Sequence, residues 1–102
     1  MAVETREISF EDGASKGRYL YRGAAGSAEM TFSRVNPKLI IIDHTQVDDS
    51  LRGMGAGQAL VLRAVEDARA AGAHILPLCP FAAAQFRRHP DWADVLHQRP
   101  QA

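Results

Sequence analysis

A cluster of glycines is the first feature of this sequence whose residue types and spacing could do chemistry. The segment reads Arg52-Gly53-Met54-Gly55-Ala56-Gly57 and is followed by an apolar, alanine-rich stretch. Glycine lets the backbone approach a ligand closely because it has no Cβ atom. A helix that begins here would add unpaired N–H groups and the positive end of its dipole. The segment is therefore predicted to bind an anion, phosphate above all, and the alternative is a turn that only caps a helix.

The spacing of these glycines differs from two well-known phosphate loops. A P-loop needs Gly-Lys followed by Ser or Thr, and the sequence contains no such stretch. The dinucleotide fingerprint needs Gly or Ala three residues after its second glycine, and counting from Gly53 and Gly55 leads to Gln58. No acidic residue follows at the strand end where that fingerprint contacts a ribose. Neither class of nucleotide site is predicted.

Cys79 is the first candidate for a catalytic side chain. It is the only cysteine and it precedes Pro80, a residue suited to the first turn of a helix. A helix N-terminus lowers the pKa of a thiol, which favours the nucleophilic thiolate. Cys79 could therefore act as a nucleophile or as a proton donor. The alternative is a buried cysteine that acts as a small apolar side chain.

His44 is the second candidate, because it follows Asp43 at the polar end of a long apolar strand. The ordinary pKa of histidine suits a general base. A strand-end histidine that is hydrogen-bonded to backbone is the alternative. No two of the four histidines have a short ligand spacing, so no metal site is predicted.

The elements that must position these residues follow from the hydrophobic pattern. Alternating β-rich segments separated by short turns predict an antiparallel meander in the first half. The second half predicts a strand, a helix, a strand and a second helix, with a right-handed crossover between two parallel strands. These four elements are Leu39–Val47, Gly57–Ala71, His74–Leu78 and Pro80 to about His89. The aliphatic centre of the strand Leu39–Val47 is predicted to be buried on both faces of the sheet. The expected fold class is α/β, with a mixed sheet built from the meander and one βαβ unit.

Length and composition set the remaining expectations. The 102 residues suit one domain, spanning residues 1–102. Twelve basic and twelve acidic residues give a net charge of zero, which argues against a nucleic-acid binder. A single cysteine excludes an internal disulfide, and no apolar run is long enough for a signal peptide or a membrane span. We expect a cytoplasmic protein that is a monomer or a weak homodimer.

Four motifs, taken together and in order, resemble a known family. They are His44-Thr45-x-Val47, Arg52-x-x-Gly55-x-Gly57, Pro77-x-Cys79-Pro80-Phe81 and His89-Pro90. The combination is similar to the small, single-domain members of the GNAT N-acetyltransferase superfamily, and the resemblance covers about residues 16–97. It implies a minimal GNAT-like fold that binds acetyl-coenzyme A where two parallel strands splay apart. It also implies transfer of the acetyl group to an amine acceptor that the sequence does not identify.

The resemblance assigns roles to particular residues. The backbone of Thr45, Gln46 and Val47 would pair with the pantetheine arm of the cofactor. The amides that would hold the pyrophosphate belong to Arg52, Gly53, Met54, Gly55, Ala56 and Gly57, and the catalytic side chains would be Cys79 and His44. Larger family members usually carry a tyrosine as general acid on the helix after the second splayed strand, where this sequence has Phe81 and Phe86. The missing tyrosine keeps open the alternative of an acyl-CoA-binding module with little or no catalysis.

Overall fold

The computed structural model describes residues 2–97 of the chain. Five strands form one sheet in chain order: β1 (Ser9–Asp12), β2 (Lys16–Gly23), β3 (Gly26–Asn36), β4 (Leu39–Val47) and β5 (His74–Pro77). The two α-helices are α1 (Ala56–Ala71) and α2 (Pro80–Arg88). Short 3-10 helices occupy Thr5–Glu7, Asp49–Leu51 and Pro90–Val95.

The strand pairing confirms the predicted mixed architecture. The first four strands pair antiparallel in succession, and the β2–β3 hairpin closes on the pair Gly23↔Gly26. Strands β4 and β5 are parallel, and α1 forms the crossover between them. Because a parallel pair needs a long crossover, α1 is forced to cross one face of the sheet, and the β4–α1 connection lies at the carboxyl end of β4.

The core lies between α1 and this face of the sheet. The apolar stripe predicted for α1 is buried, and Leu60, Val61 and Val65 have no exposed surface. Tyr19 and Tyr21 lie on one face of β2 and belong to the same buried cluster. Each fully buried aliphatic side chain contributes about 1.5–3 kcal/mol relative to an exposed one. The packing therefore holds α1, and the turn before it, firmly against the sheet.

The prediction that β4 is buried on both faces is wrong. Ile42 is fully buried, but Leu39 and Ile41 are only partly buried and His44 is exposed. The buried cluster covers one face, and the second face carries polar, partly exposed side chains such as Thr31. The long aliphatic run suggested a two-sided core that a chain of this size does not build.

Several element boundaries differ from the predicted ones by one or two residues. Helix α1 begins at Ala56 rather than Gly57, and β5 ends at Pro77 rather than at Leu78. Strand β5 ends early because the N–H groups of Leu78 and Cys79 both donate to the carbonyl oxygen of Ile42, at 3.1 Å each. Within residues 2–97, no helix is both long and apolar enough to span a bilayer.

Candidate functional site

The glycine-rich loop joins a short 3-10 turn to the first turn of α1. Gly53 and Gly55 have φ values of +82° and +71°, a left-handed conformation that side chains other than glycine rarely adopt. A Cβ atom added at either position would meet nothing within 4 Å. Glycine is therefore needed here for backbone conformation, and the surface above the loop is open to a ligand.

The loop offers fewer free amides than the sequence suggests. The N–H of Arg52 donates to the carbonyl of Asp49 at 3.0 Å, and that of Met54 donates to the carbonyl of Leu51 at 3.0 Å. The four remaining N–H groups find no acceptor among residues 2–97, and they belong to Gly53, Gly55, Ala56 and Gly57. Unpaired amides at a helix start are the groups that bind an anion. The structure thus narrows the predicted phosphate-binding set from six amides to four.

The third glycine of the loop has a different role. A Cβ atom on Gly57 would lie 2.5 Å from the ring of Phe81, at the start of α2. Gly57 therefore permits the close approach of α1 and α2. This contact aligns the start of α2, with Cys79 at its N-cap, beside the start of α1.

A groove runs from the loop to the first turn of α2. Its volume is about 270 Å³. The lining residues are Val47, Leu51, Arg52, Gly53, Gly55, Ala56, Gly57, Gln58, Phe81 and Gln85. A larger cavity of about 430 Å³ lies farther along α1, against Tyr19 and Phe32, but it contains neither the unpaired amides nor the thiol. We assign the phosphate-binding end of the site to the smaller groove because the loop residues with unpaired amides line it, and the Cys79 thiol lies at the N-cap of the helix that this groove reaches.

Strand β5 ends before its parallel partner β4 does. Their pairing ends at Ile42↔Pro77, whereas β4 continues to Val47. A register shift in the β3–β4 pairing leaves Asp43 as an extra residue, which is the signature of a β-bulge. Beyond the bulge, no strand within residues 2–97 pairs with the edge of β4 that faces β5. This open edge of β4 past the end of β5 lies where the splay is predicted, and it is called the splay here.

Cys79 and Thr45 come together at this splay. The Cys79 Sγ atom lies 3.4 Å from Thr45 Oγ1, and the cysteine is only 5% exposed. Burial raises the pKa of the Cys79 thiol, but hydrogen bonds from the Thr45 hydroxyl and from the amides of Ala82 and Phe81 outweigh burial, so the pKa is lowered overall. The sequence pattern pointed to the backbone of Thr45 and missed this side-chain contact, which depends on the unforeseen bulge.

The bulge also decides where His44 points. Thr45 is paired with Met30 on the buried face, whereas His44 is paired with Thr31 on the polar face. Since adjacent side chains of a strand alternate between faces, His44 and the Thr45–Cys79 contact lie on opposite sides of β4. The structure therefore buries Cys79 against Thr45 on one face of β4 and leaves His44 exposed on the other face of the sheet.

The other polar side chains near the site have structural partners. His89 stacks on Trp92 with ring centroids 4.0 Å apart, and its Nε2 lies 3.5 Å from Gln58 Nε2. The Arg52 side chain is 85% exposed and lies 3.7 Å from Asp49, so it carries a nearly free positive charge beside the loop. Among residues 2–97, no three His, Cys, Asp or Glu side chains are close enough together to hold a metal ion.

Comparison with known proteins agrees with this geometry. The sequence profile described as GCN5-related N-acetyltransferase matches residues 18–95. A comparison with curated protein sequences finds no match. Among solved structures, the chain is similar to the NMR solution structure of a GCN5-like candidate N-acetyltransferase from Staphylococcus aureus, with 29% identity, a TM-score of 0.66 and 93% of each chain covered. The matched region contains the whole splay and the glycine-rich loop, and this chain therefore belongs to the GCN5-related N-acetyltransferase family.

Proposed function

We propose that this chain is an acetyl-CoA-dependent N-acetyltransferase in which Cys79 assists the transfer of the acetyl group to an amine. One observation carries the proposal. A loop with four unpaired amides lines a groove that reaches the first turn of α2, and a buried thiol with a lowered pKa lies at the N-cap of that helix, hydrogen-bonded to Thr45. The amides suit a diphosphate and the thiol suits a thioester.

The chain's own groups fit the parts of acetyl-CoA in order along the groove. The amides of Gly53 to Gly57 would bind the diphosphate, and the exposed Arg52 side chain would add a positive charge. The unpaired edge of β4, at Thr45, Gln46 and Val47, would hydrogen-bond to the amide groups of the pantetheine arm, as a neighbouring strand would. This placement directs the far end of the ligand toward Cys79.

Bound acetyl-CoA supplies an activated acetyl thioester. The lowered pKa favours the Cys79 thiolate, which is the form that attacks a carbonyl carbon. Attack forms a bond between Cys79 Sγ and the acetyl carbon, breaks the bond to the CoA sulfur, and leaves CoA to take up a proton. An amine then attacks the acetyl carbon, the bond to Cys79 breaks, and the amine loses a proton to a base. In direct transfer, Cys79 would instead donate a proton to the departing CoA sulfur.

His44 is the proposed base for the amine. It is exposed on the polar face of the sheet, opposite the Thr45–Cys79 contact. The splay at the end of β5 leaves an edge of β4 open near both residues, so an amine that enters there from the polar face would pass His44. The acceptor belongs to the broad class of amines. We place the reaction in the cytoplasm because Cys79 is a free thiol, and thiols are kept reduced in that compartment.

The separation of Cys79 and His44 favours a second candidate function, an acyl-CoA-binding module with little catalysis. In the described part of the chain, the side chain hydrogen-bonded to Cys79 is Thr45, which is neither an acid nor a base at neutral pH. A binding module would keep the loop and the groove but would not transfer the acetyl group. The two candidates differ in whether an acetyl group leaves CoA.

Intact-mass measurement after incubation with acetyl-CoA tests the proposal. We expect wild-type protein to gain about 42 Da, one acetyl group, and Cys79→Ala to gain nothing. His44→Gln is the matched control, because it should keep the adduct and slow only the transfer to an added amine. Undiminished turnover by Cys79→Ala would remove Cys79 from the mechanism. If CoA at millimolar concentration fails to raise the melting temperature of the wild type, the cofactor assignment itself is wrong.

A further inference from the structure

Residues 2–8, called here the N-terminal arm, contact the glycine-rich loop directly. The N–H of Val3 donates to the carbonyl oxygen of Met54 at 2.7 Å. Val3 is only 8% exposed, and together with Ile8 it belongs to the main buried cluster. The family profile begins at residue 18, so the arm lies outside the matched region.

The hydrogen bond from the arm fixes the direction of one particular loop amide. Met54 C=O and Gly55 N–H belong to the same peptide unit, which is trans, so the two groups point in opposite directions. Because the Met54 oxygen points to the arm, the Gly55 N–H points away from it. Gly55 lines both the groove and the small cavity beside the arm, so it separates the two. The bond to the Met54 oxygen also polarises the peptide unit, which strengthens Gly55 as a donor.

Bonds from the Met54 N–H to Leu51 and from the Ala59 N–H to Gly55 flank this peptide unit, but within residues 2–97 the Val3 bond is the one backbone bond made to the unit itself. Gly53 and Gly55 are the residues with the greatest backbone freedom, and added Cβ atoms there would touch nothing within 4 Å. A loop of this kind loses conformational entropy when it closes on a ligand, and that loss weakens binding. A contact that orders the loop before the ligand arrives reduces the loss.

The arm is itself anchored to α1 by one side chain. Arg63 Nη1 donates to the carbonyl oxygens of Thr5 and Ile8, and Arg63 Nε lies 3.3 Å from Asp67 Oδ1. Arg63 lies on the helix that begins at the loop. The arm, the loop and the first turns of α1 thus form a closed chain of contacts.

We propose that the N-terminal arm is a positioning element for the cofactor site, which holds the Gly55 N–H toward the diphosphate of CoA. The proposal rests on the proposed function. Within residues 2–97, the hydrogen bonds of the arm reach the loop and α1 but not Cys79 or Thr45, so its effect is confined to the phosphate-binding end. Loss of the arm contact should therefore lower the affinity for CoA without changing the affinity for a ligand that lacks the diphosphate.

The test compares two proline variants. Val3→Pro removes the N–H donor and keeps an apolar side chain of similar size, whereas Ala2→Pro places a proline one residue earlier and keeps the Val3 N–H. Binding of CoA and of pantetheine, which has no diphosphate, is measured by NMR titration of each variant. We expect Val3→Pro to raise the Kd for CoA about three- to tenfold, the net worth of one hydrogen bond, and to leave the Kd for pantetheine unchanged. Ala2→Pro should match the wild type for both ligands.

The outcomes separate this proposal from the function on which it rests. If the wild type does not bind CoA, both are overturned. If the wild type binds CoA and Val3→Pro binds it equally well, only the role of the arm is overturned. If Val3→Pro binds neither CoA nor pantetheine, the variant is misfolded, and the same two titrations of Arg63→Gln then test the role of the arm. A selective loss of CoA affinity in Arg63→Gln supports the proposal, and an unchanged or unselective affinity refutes it.

Discussion

Replacing Thr45 with valine tests whether the Cys79 thiol is activated in the way that the structure indicates. Valine has nearly the shape of threonine but lacks the hydroxyl that hydrogen-bonds to the sulfur at 3.4 Å. Thr45→Ser is the matched control because it keeps the hydroxyl and loses only a methyl group. Since burial alone raises the pKa of Cys79, loss of the hydroxyl should move this pKa upward.

The size of the effect follows from the strength of one hydrogen bond to a charged group. Such bonds contribute about 1.5–3 kcal/mol, and a contact to sulfur falls at the lower end, about 1.5 kcal/mol. This energy corresponds to roughly a tenfold lower thiolate fraction at any pH below the pKa. Cys79 is 5% exposed, so solvent does not replace the missing donor fully.

The sign of the pH dependence is also determined. The pKa of native Cys79 is lowered, so the native thiolate adds stability above the pKa of an unfolded cysteine, about 8.5. That contribution is lost as the pH falls through the native pKa. Thr45→Val should therefore be less stable than Thr45→Ser at pH 9.5 by about 1.5 kcal/mol, and this deficit should shrink as the pH falls through the native pKa.

The assay is the rate at which a small methanethiosulfonate modifies Cys79 between pH 5 and pH 10. The profile of Thr45→Val should move to higher pH, with roughly tenfold slower reaction near neutrality, while Thr45→Ser should follow the wild type. Formation of the acetyl adduct from acetyl-CoA should slow in parallel. Identical profiles for the valine and serine variants would refute the assignment of Thr45 as the group that activates the thiol.

Two further predictions concern the glycines. Gly55→Ala and Gly72→Ala both place a side chain at positive φ on a cap of α1. Each should therefore lower the free energy of unfolding in urea by about 1 kcal/mol. Only Gly55→Ala should lower the affinity for CoA in a titration. Equal CoA affinity in the two variants would contradict a role for the loop. Gly57→Ala places a methyl group against the Phe81 ring and should destabilise the fold by about 1–3 kcal/mol. The same change in a Phe81→Ala background should cost much less, and additive losses in the double variant would show that the ring is not the cause.

Much of the fold was predictable because the relevant interactions are local. The alternating strands, the apolar stripe of α1 and the stop at Gly72 depend on residues close together in sequence, and the structure contains all three. The limits of β4 were predicted correctly at Leu39–Val47. The burial of β4 was predicted wrongly, because a run of aliphatic residues does not reveal how many faces of a sheet are covered.

The site was predictable in its parts but not in its arrangement. The glycine spacing identified the loop, but the number of free amides depends on turns that occupy the N–H groups of Arg52 and Met54. The sequence predicts both His44 and Cys79 as catalytic side chains. The bulge at Asp43 places His44 on one face of β4 and the contact of Cys79 with Thr45 on the other. A bulge has no local sequence signal here, because it arises from the pairing of β3 with β4.

By itself, the sequence determined the chemistry available to this protein: a loop whose glycines permit left-handed backbone, one thiol before a proline-started helix, and the mixed sheet that carries both. Only the tertiary structure decided which groups meet. The pairing of Cys79 with Thr45, the contact of Gly57 with Phe81 and the bond from Val3 to Met54 join residues that are distant in sequence. Such contacts are set by strand register and helix packing, which depend on the whole core rather than on any one segment.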